Sequence, residues 1–416
     1  MKRLLKITSF TAILTLLKMA IGFVIAKVVA IYTGPTGMAM LGQLQSIVLV
    51  VIGISNSPVG AGLVRYTAEY HQHGLEACAP WWRACIQWSL ALLFIIIPLG
   101  LFFSENISLW LFDNYDYAWL IVVIVFVLPF ATCGALINSV LNGLQQYRRF
   151  VVLGMISALL SGAVMITLII QKDLNGALLA ASLQAGLIGT VMLVGCIREP
   201  WFKLNFWWGK TEKKHKRLIG GYVLMALTTA LTVPVSLIFV RNILVAHVGW
   251  EQAGLWQAVW RISEVYLGVI TMALGTYYLP KLSVLVGVDA ITSEITKTAK
   301  IVLPIVIALA LLVYFMRDIA IHLLFTAEFT EARNLFAIQL IGDVLKITAW
   351  MYAYPMISRG ATTWYITTEI LFSLFFVLLA WIFIQKYGVQ GANFAYLINY
   401  VSYFFIIFLN VKRFAR

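Results

Sequence analysis

Eight charged side chains fall inside stretches otherwise apolar enough to cross a membrane: Lys18, Lys27, Arg241, Arg261 and Lys346 against Glu264, Asp343 and Glu369. An intramembrane charge costs roughly 2.5–3.5 kcal/mol on insertion scales, so it survives mainly where it faces a wet or polar interior. Five cations against three acids predict a net positive cavity. A positive cavity within a membrane suits an anionic passenger. Arg offers phosphate a planar fork and Lys a point charge, so these five are the candidate contacts for a phosphorylated group. Lys18 is the best of them, because it sits mid-span with no acid within four positions. Arg261 has Glu264 three residues on, which places the two on one helical face and makes mutual neutralisation an equal alternative.

The acids suggest a second chemistry. A buried carboxyl that can hold or lose a proton suits coupling to an ion gradient. Glu369, with no base within four residues, is the cleanest candidate. Asp343, one turn before Lys346, is next and Glu264 third. Arg65 and Glu69 stand four residues apart at the cytoplasmic end of the second span, where they are candidates for a gate or a simple interfacial ion pair.

The elements that must position these residues are helices. Of the 416 residues 62% are hydrophobic and only 11% charged, well below the quarter usual in soluble domains. Twelve runs reach the about 20 residues that one crossing needs: 7–31, 37–68, 80–103, 117–141, 149–170, 175–197, 217–244, 251–277, 298–316, 331–357, 361–386 and 390–411. With the N-terminus in the cytoplasm, 21 of the 30 Lys and Arg lie inside and 4 outside, which predicts both termini cytoplasmic. The net charge of +13 is thereby a topology signal, with attraction to anionic lipid heads as a by-product and no call for nucleic acid. Lys18 interrupts the first run, which reads as a span rather than a cleaved signal peptide. Pro58, Pro129, Pro234, Pro304 and Pro355 predict kinks, with the run around Pro58 the most bent.

The chain divides at its longest polar stretch, giving a lobe over 1–197, a basic linker over 198–216 and a lobe over 217–416. Leu41-Gly42-Gln43 and Leu255-Trp256-Gln257 are 214 residues apart. Leu111-Phe112 and Leu324-Phe325 are 213 apart, and Asn175-Gly176-Ala177 and Gln390-Gly391-Ala392 are 215 apart. Matching topological places at nearly constant offset indicate duplication. The expected fold is an all-α integral membrane protein. It has twelve transmembrane helices in two six-helix lobes, related by a parallel pseudo-two-fold repeat around a central cavity. Lys27 and Arg241 also stand 214 apart, on spans one and seven.

The four cysteines, Cys78, Cys85, Cys133 and Cys196, show no metal or disulfide spacing, and no metal or cofactor is expected. No P-loop, nucleophile elbow or paired-acid metal motif is present, and no predicted outer loop is long enough to house catalytic groups. The chain therefore reads as a transporter rather than an enzyme of lipid-linked sugars.

Four stretches carry a family resemblance: Gly34-Pro35-Thr36-Gly37, Arg65-Tyr66-Thr67-Ala68-Glu69-Tyr70-His71, Leu279-Pro280-Lys281-Leu282-Ser283 and Gly342-Asp343-Val344-Leu345-Lys346. With the two-lobe plan, they resemble the multidrug/oligosaccharidyl-lipid/polysaccharide exporter superfamily, and within it the Wzx-type flippases of O-antigen or enterobacterial common antigen units. The resemblance covers essentially the whole chain. It implies translocation of an undecaprenyl-pyrophosphate-linked oligosaccharide from the cytoplasmic to the periplasmic leaflet of the bacterial inner membrane. It also implies alternating access, coupling to a proton or sodium gradient, and partners in polymerisation and chain-length control. A cation-extruding drug antiporter of the same superfamily is the nearest alternative, and the basic excess argues against it.

Overall fold

A computed structural model describes the backbone of residues 2–415, with the side chains of 13–415 except Met225 and Thr276. Met1 lies outside the described residues, as do Arg416 and the side chains of Lys2, Arg3 and Lys6, which the charge asymmetry uses.

Continuous apolar sequence broken only by Gly, Pro and a few polar residues folds as helix throughout, and no strand occurs among the described residues. The helices are α1 (Lys2–Asn56), α2 (Ala61–Tyr70), α3 (Leu75–Phe102), α4 (Ser104–Phe112), α5 (Ala118–Gly143), α6 (Tyr147–Cys196), α7 (Leu204–Trp207), α8 (Lys213–Ala273), α9 (Leu279–Val284), α10 (Val288–Leu324), α11 (Phe336–Ser358), α12 (Thr362–Tyr387) and α13 (Gln390–Phe414). Nine helical stretches among the described residues are long and apolar enough to cross a membrane. Three of them run 61, 50 and 61 residues, more than twice what one crossing requires. Gly34, Asp173 and Gly249 stand out of helical geometry within them, and residues 57–60 interrupt the first a second time.

Those breaks recur. Gly34 and Gly249 both have positive φ (61° and 81°) and stand 215 residues apart. Asp173 and Gly388 (47° and 58°) repeat the offset, as do Gln145 and Gly360 (56° and 66°). At the last pair even the turn bonding matches. Gln146 N–H donates to the Leu141 carbonyl and Ala361 N–H to that of Met356. Positive φ is costly for any residue but Gly, so its repetition reflects a shared backbone plan rather than similar composition. Pro58 lies in the gap between α1 and α2, whereas Pro129, Pro234, Pro304 and Pro355 sit within helices that continue past them.

Two compact units are present. The first comprises Met1–Tyr32 and Leu41–Val235, the second Thr33–Met40 and Ser236–Arg416. In the first unit a tryptophan cluster fastens residues 198–216 onto α3. Trp82 stacks on Trp207 at 4.9 Å, and Trp207 Nε1 donates to the Trp201 carbonyl at 2.9 Å. Trp88 Nε1 donates to the Lys216 carbonyl at 3.0 Å. This basic segment is therefore folded against its own unit.

The arginine-tyrosine stretch of α2 joins the same cluster. Tyr66 stacks on Trp81 at 3.6 Å, Thr67 Oγ1 accepts from Trp82 Nε1, and Arg65 donates to the Tyr222 hydroxyl at 2.9 Å. In the second unit Lys281 pairs with Glu294 at 2.6 Å, tying α9 to α10. That hydrogen bond holds the Lys281 ammonium above the usual lysine range.

Candidate functional site

The first unit contributes Lys18 and Lys27 from α1, and the two face different surroundings. Ile13, Leu16, Ala20, Val24 and Ile31 form an exposed apolar stripe along this helix, as lipid contact requires. At 3.6 residues per turn Lys18 falls about 150° away from that stripe, yet it too is exposed. Gly22, one turn on and on the same face, has no atom within 4 Å of where a Cβ would stand. Leu14 and Ile21, by contrast, pack toward Gly154 and Gly162 of α6. Lys18 thus leaves the apolar stripe with its side chain still exposed. Lys27 is half-buried, and by the same geometry lies on the apolar stripe itself.

The second unit draws the other six charges into one neighbourhood formed by α8, α11, α12 and α13. Asp343 is fully buried and accepts hydrogen bonds from the hydroxyls of Ser263, Tyr266 (2.6 Å) and Tyr396 (2.9 Å) and from Gln339 Nε2 (3.2 Å). Gly342 makes this possible. A Cβ there would stand 2.5 Å from Cδ1 of Tyr396, so only glycine lets that ring lie against α11. Glu264 accepts from Trp260 Nε1 at 3.1 Å and pairs with Arg261 at 3.5 Å. Glu369 is half-buried, opposite the exposed stripe of Leu371, Leu374 and Leu378.

Lys346 stands at the middle. Its ammonium lies 5.0 Å from the ring centre of Trp350 and 5.6–5.7 Å from those of Trp260, Tyr396 and Tyr400. Asp343, Glu264 and Glu369 all interact with its charge. Arg241 is only 2% exposed; its Nε donates to Gln257 Oε1 at 3.0 Å and its guanidinium lies 6.0 Å from the Trp256 ring.

Three bases and three acids therefore share this neighbourhood, and the basic excess counted along the chain resides in α1. Sequence reasoning missed the aromatic ring set around Lys346. Its members come from three helices, and no local spacing marks Tyr396 and Tyr400 as neighbours of Trp260.

Arg65 and Glu69 stand apart from both groups. They approach to 3.9 Å with side chains 64% and 52% exposed, next to the tryptophan cluster. A groove of about 640 Å³ in the first unit is lined by Asp116, Tyr117, Trp119, Lys172, Asn175 and Leu179, none of them a candidate residue. No group of three or more potential metal ligands occurs among the described residues.

No family profile matches the chain. The lipid III flippase of Escherichia coli (strain K12) is 30% identical over 404 residues, 96% of each chain, and that of Shigella flexneri matches to the same extent. The chain belongs to the Wzx-type flippase family. Solved transporter structures share this fold. An inward-facing multidrug-resistance transporter of the MATE family superposes with a TM-score of 0.72 over 96% of this chain and 98% of its own, at 15% identity. An outward-facing one gives 0.66 over 98% and 95%, at 16% identity. A MOP transporter from Pyrococcus furiosus, described by the reversed polarity of its binding pocket, gives 0.65 over 99% and 96%, also at 16%. At such identities the likeness is one of fold, and it does not favour drug antiport for this flippase. The named sequence relatives are transporters, not enzymes.

Proposed function

We propose that this chain is a multi-pass inner-membrane flippase that carries an undecaprenyl-pyrophosphate-linked oligosaccharide, of the lipid III or O-antigen type, from the cytoplasmic to the periplasmic leaflet. The full-length relationship to lipid III flippases supports the substrate class. The observation that carries the chemistry is Lys18, a cation exposed on the face of α1 opposite its apolar stripe. A pyrophosphate diester brings about two negative charges, and an isolated ion in a dry low-dielectric medium costs tens of kcal/mol. One accessible ammonium lowers that barrier while leaving the anion free to depart, as transport demands.

Nine apolar helices, three of double length with a break in each, support twelve crossings in two six-helix lobes. An even number of crossings, with the basic residues inside, supports cytoplasmic termini. Alternating access is the mode of transport. Glu369, Asp343 and Glu264 are its coupling acids, since their charge is matched by bases in the same neighbourhood and one protonation would unbalance it. Arg65 and Glu69 mark the cytoplasmic end of the path.

Leaflet exchange of an undecaprenyl-pyrophosphate oligosaccharide in proteoliposomes, beside a cationic dye, tests the assignment. The account expects the lipid to move and the dye to stay. Movement of the dye alone replaces it with drug antiport.

A further inference from the structure

The surroundings of Lys346 have the make-up of a receptor for an organic cation. An ammonium within about 6 Å of a ring centre is attracted by the ring's electron-rich face. Here four rings, Trp260, Trp350, Tyr396 and Tyr400, lie within 5.0–5.7 Å of one nitrogen. Three carboxylates, Asp343, Glu264 and Glu369, also act on its charge.

The walls do not depend on the lysine. Trp260 Nε1 is held by Glu264 and the Tyr396 hydroxyl by Asp343, while Asp343 is also held by Tyr266 and Gln339. Trp260 packs edge-on against Tyr396 at 5.2 Å, and Tyr396 against Tyr400 at 4.9 Å. Rings and acids thus brace each other from α8, α11 and α13. Deleting the Lys346 side chain would leave a formed chamber with unbalanced negative charge. Ring faces supply none of the oxygen ligands that Ca²⁺ or Mg²⁺ takes. They suit a small alkylammonium.

We propose that the second unit contains an alkylammonium-binding chamber that the chain fills with its own Lys346 as a tethered cation. The tether replaces a soluble cation at millimolar or higher effective concentration and closes the chamber to cations from solution. This differs from the pyrophosphate role expected of Lys346 from sequence, and it stands whether or not the flippase reading of the passenger is right.

The test is chemical rescue of purified full-length protein in nanodiscs, read as thermal melting. n-Propylammonium, which reproduces the Cγ, Cδ, Cε and Nζ that the substitution removes, is expected to raise the melting temperature of Lys346→Ala saturably and that of wild type at least tenfold less sensitively. n-Propanol, without the charge, is expected to leave both unchanged, and Asp343→Asn added to Lys346→Ala is expected to abolish the rescue. Equal shifts in wild type and variant, equal shifts with propanol, or no shift in the variant would overturn the proposal. If Lys346→Ala yields no folded protein, Lys346→Met retains the stem and lacks only the ammonium nitrogen. Ammonium then serves as the probe, with the same outcomes deciding.

Discussion

At the scale of single residues, exposure and neighbours distinguish charges that composition treats alike. Lys18 and Lys27 are both intramembrane lysines on one helix, but only Lys18 leaves the apolar stripe. Lys18→Ala is therefore expected to slow flipping at matched expression. One charge-assisted contact is worth about 1.5–3 kcal/mol, or roughly ten- to a hundredfold in rate. Lys27→Ala is expected to change it less than threefold. A proteoliposome assay comparing the two checks this, and equal losses would show that position on the helix does not select the passenger's contact.

Asp343 presents a different case. Tyr266→Phe removes a 2.6 Å hydrogen bond from a fully buried carboxyl. The expected loss of stability is about 1.5–3 kcal/mol, read as a lower melting temperature. Glu369→Gln is expected to slow gradient-driven transport more than exchange without a gradient, and equal effects on both would remove Glu369 as a coupling group.

At the scale of elements, the four stretches that carry the family resemblance have definable work. Gly34 breaks α1 with a positive φ, the Arg65–His71 segment docks on the tryptophans of α3, and Lys281 ties α9 to α10. Gly342 lets α13 approach α11 through Tyr396. Gly342→Ala must displace that ring, at a cost of about 1–3 kcal/mol typical of overpacking. The check is thermal stability of the variant together with loss of the Lys346 chemical rescue. Unchanged stability would show that α13 yields without strain.

Much of this level was legible in the sequence, because hydropathy, Gly/Pro breaks and matched offsets mark helices and their repetition locally. The tertiary environment of each charge was not legible. Arg241 matched Lys27 by offset, yet one is sealed against Gln257 and the other lies on an exposed stripe. Offsets report duplicated backbone; the side-chain neighbours on other helices decide what a charge does.

At the scale of the whole molecule, counting five bases against three acids merged two separate situations. Six of the charges form a balanced set in the second unit, braced by aromatic rings, and the unbalanced positive charge stands on α1 of the first. On the proposed function the labour divides, with Lys18 of the first unit meeting the anionic passenger and the second unit holding the charge that a gradient can perturb. Backbone breaks recur at 215 residues along the chain, while the side chains presented at matched places differ.

Transport by wild type and Lys18→Ala of an undecaprenyl-pyrophosphate oligosaccharide, against the same oligosaccharide on an uncharged polyprenol, tests this account most directly. The account predicts that wild type flips the pyrophosphate lipid well ahead of the uncharged one, and that Lys18→Ala abolishes the preference. A preference that survives the substitution, or its absence in wild type, would contradict it.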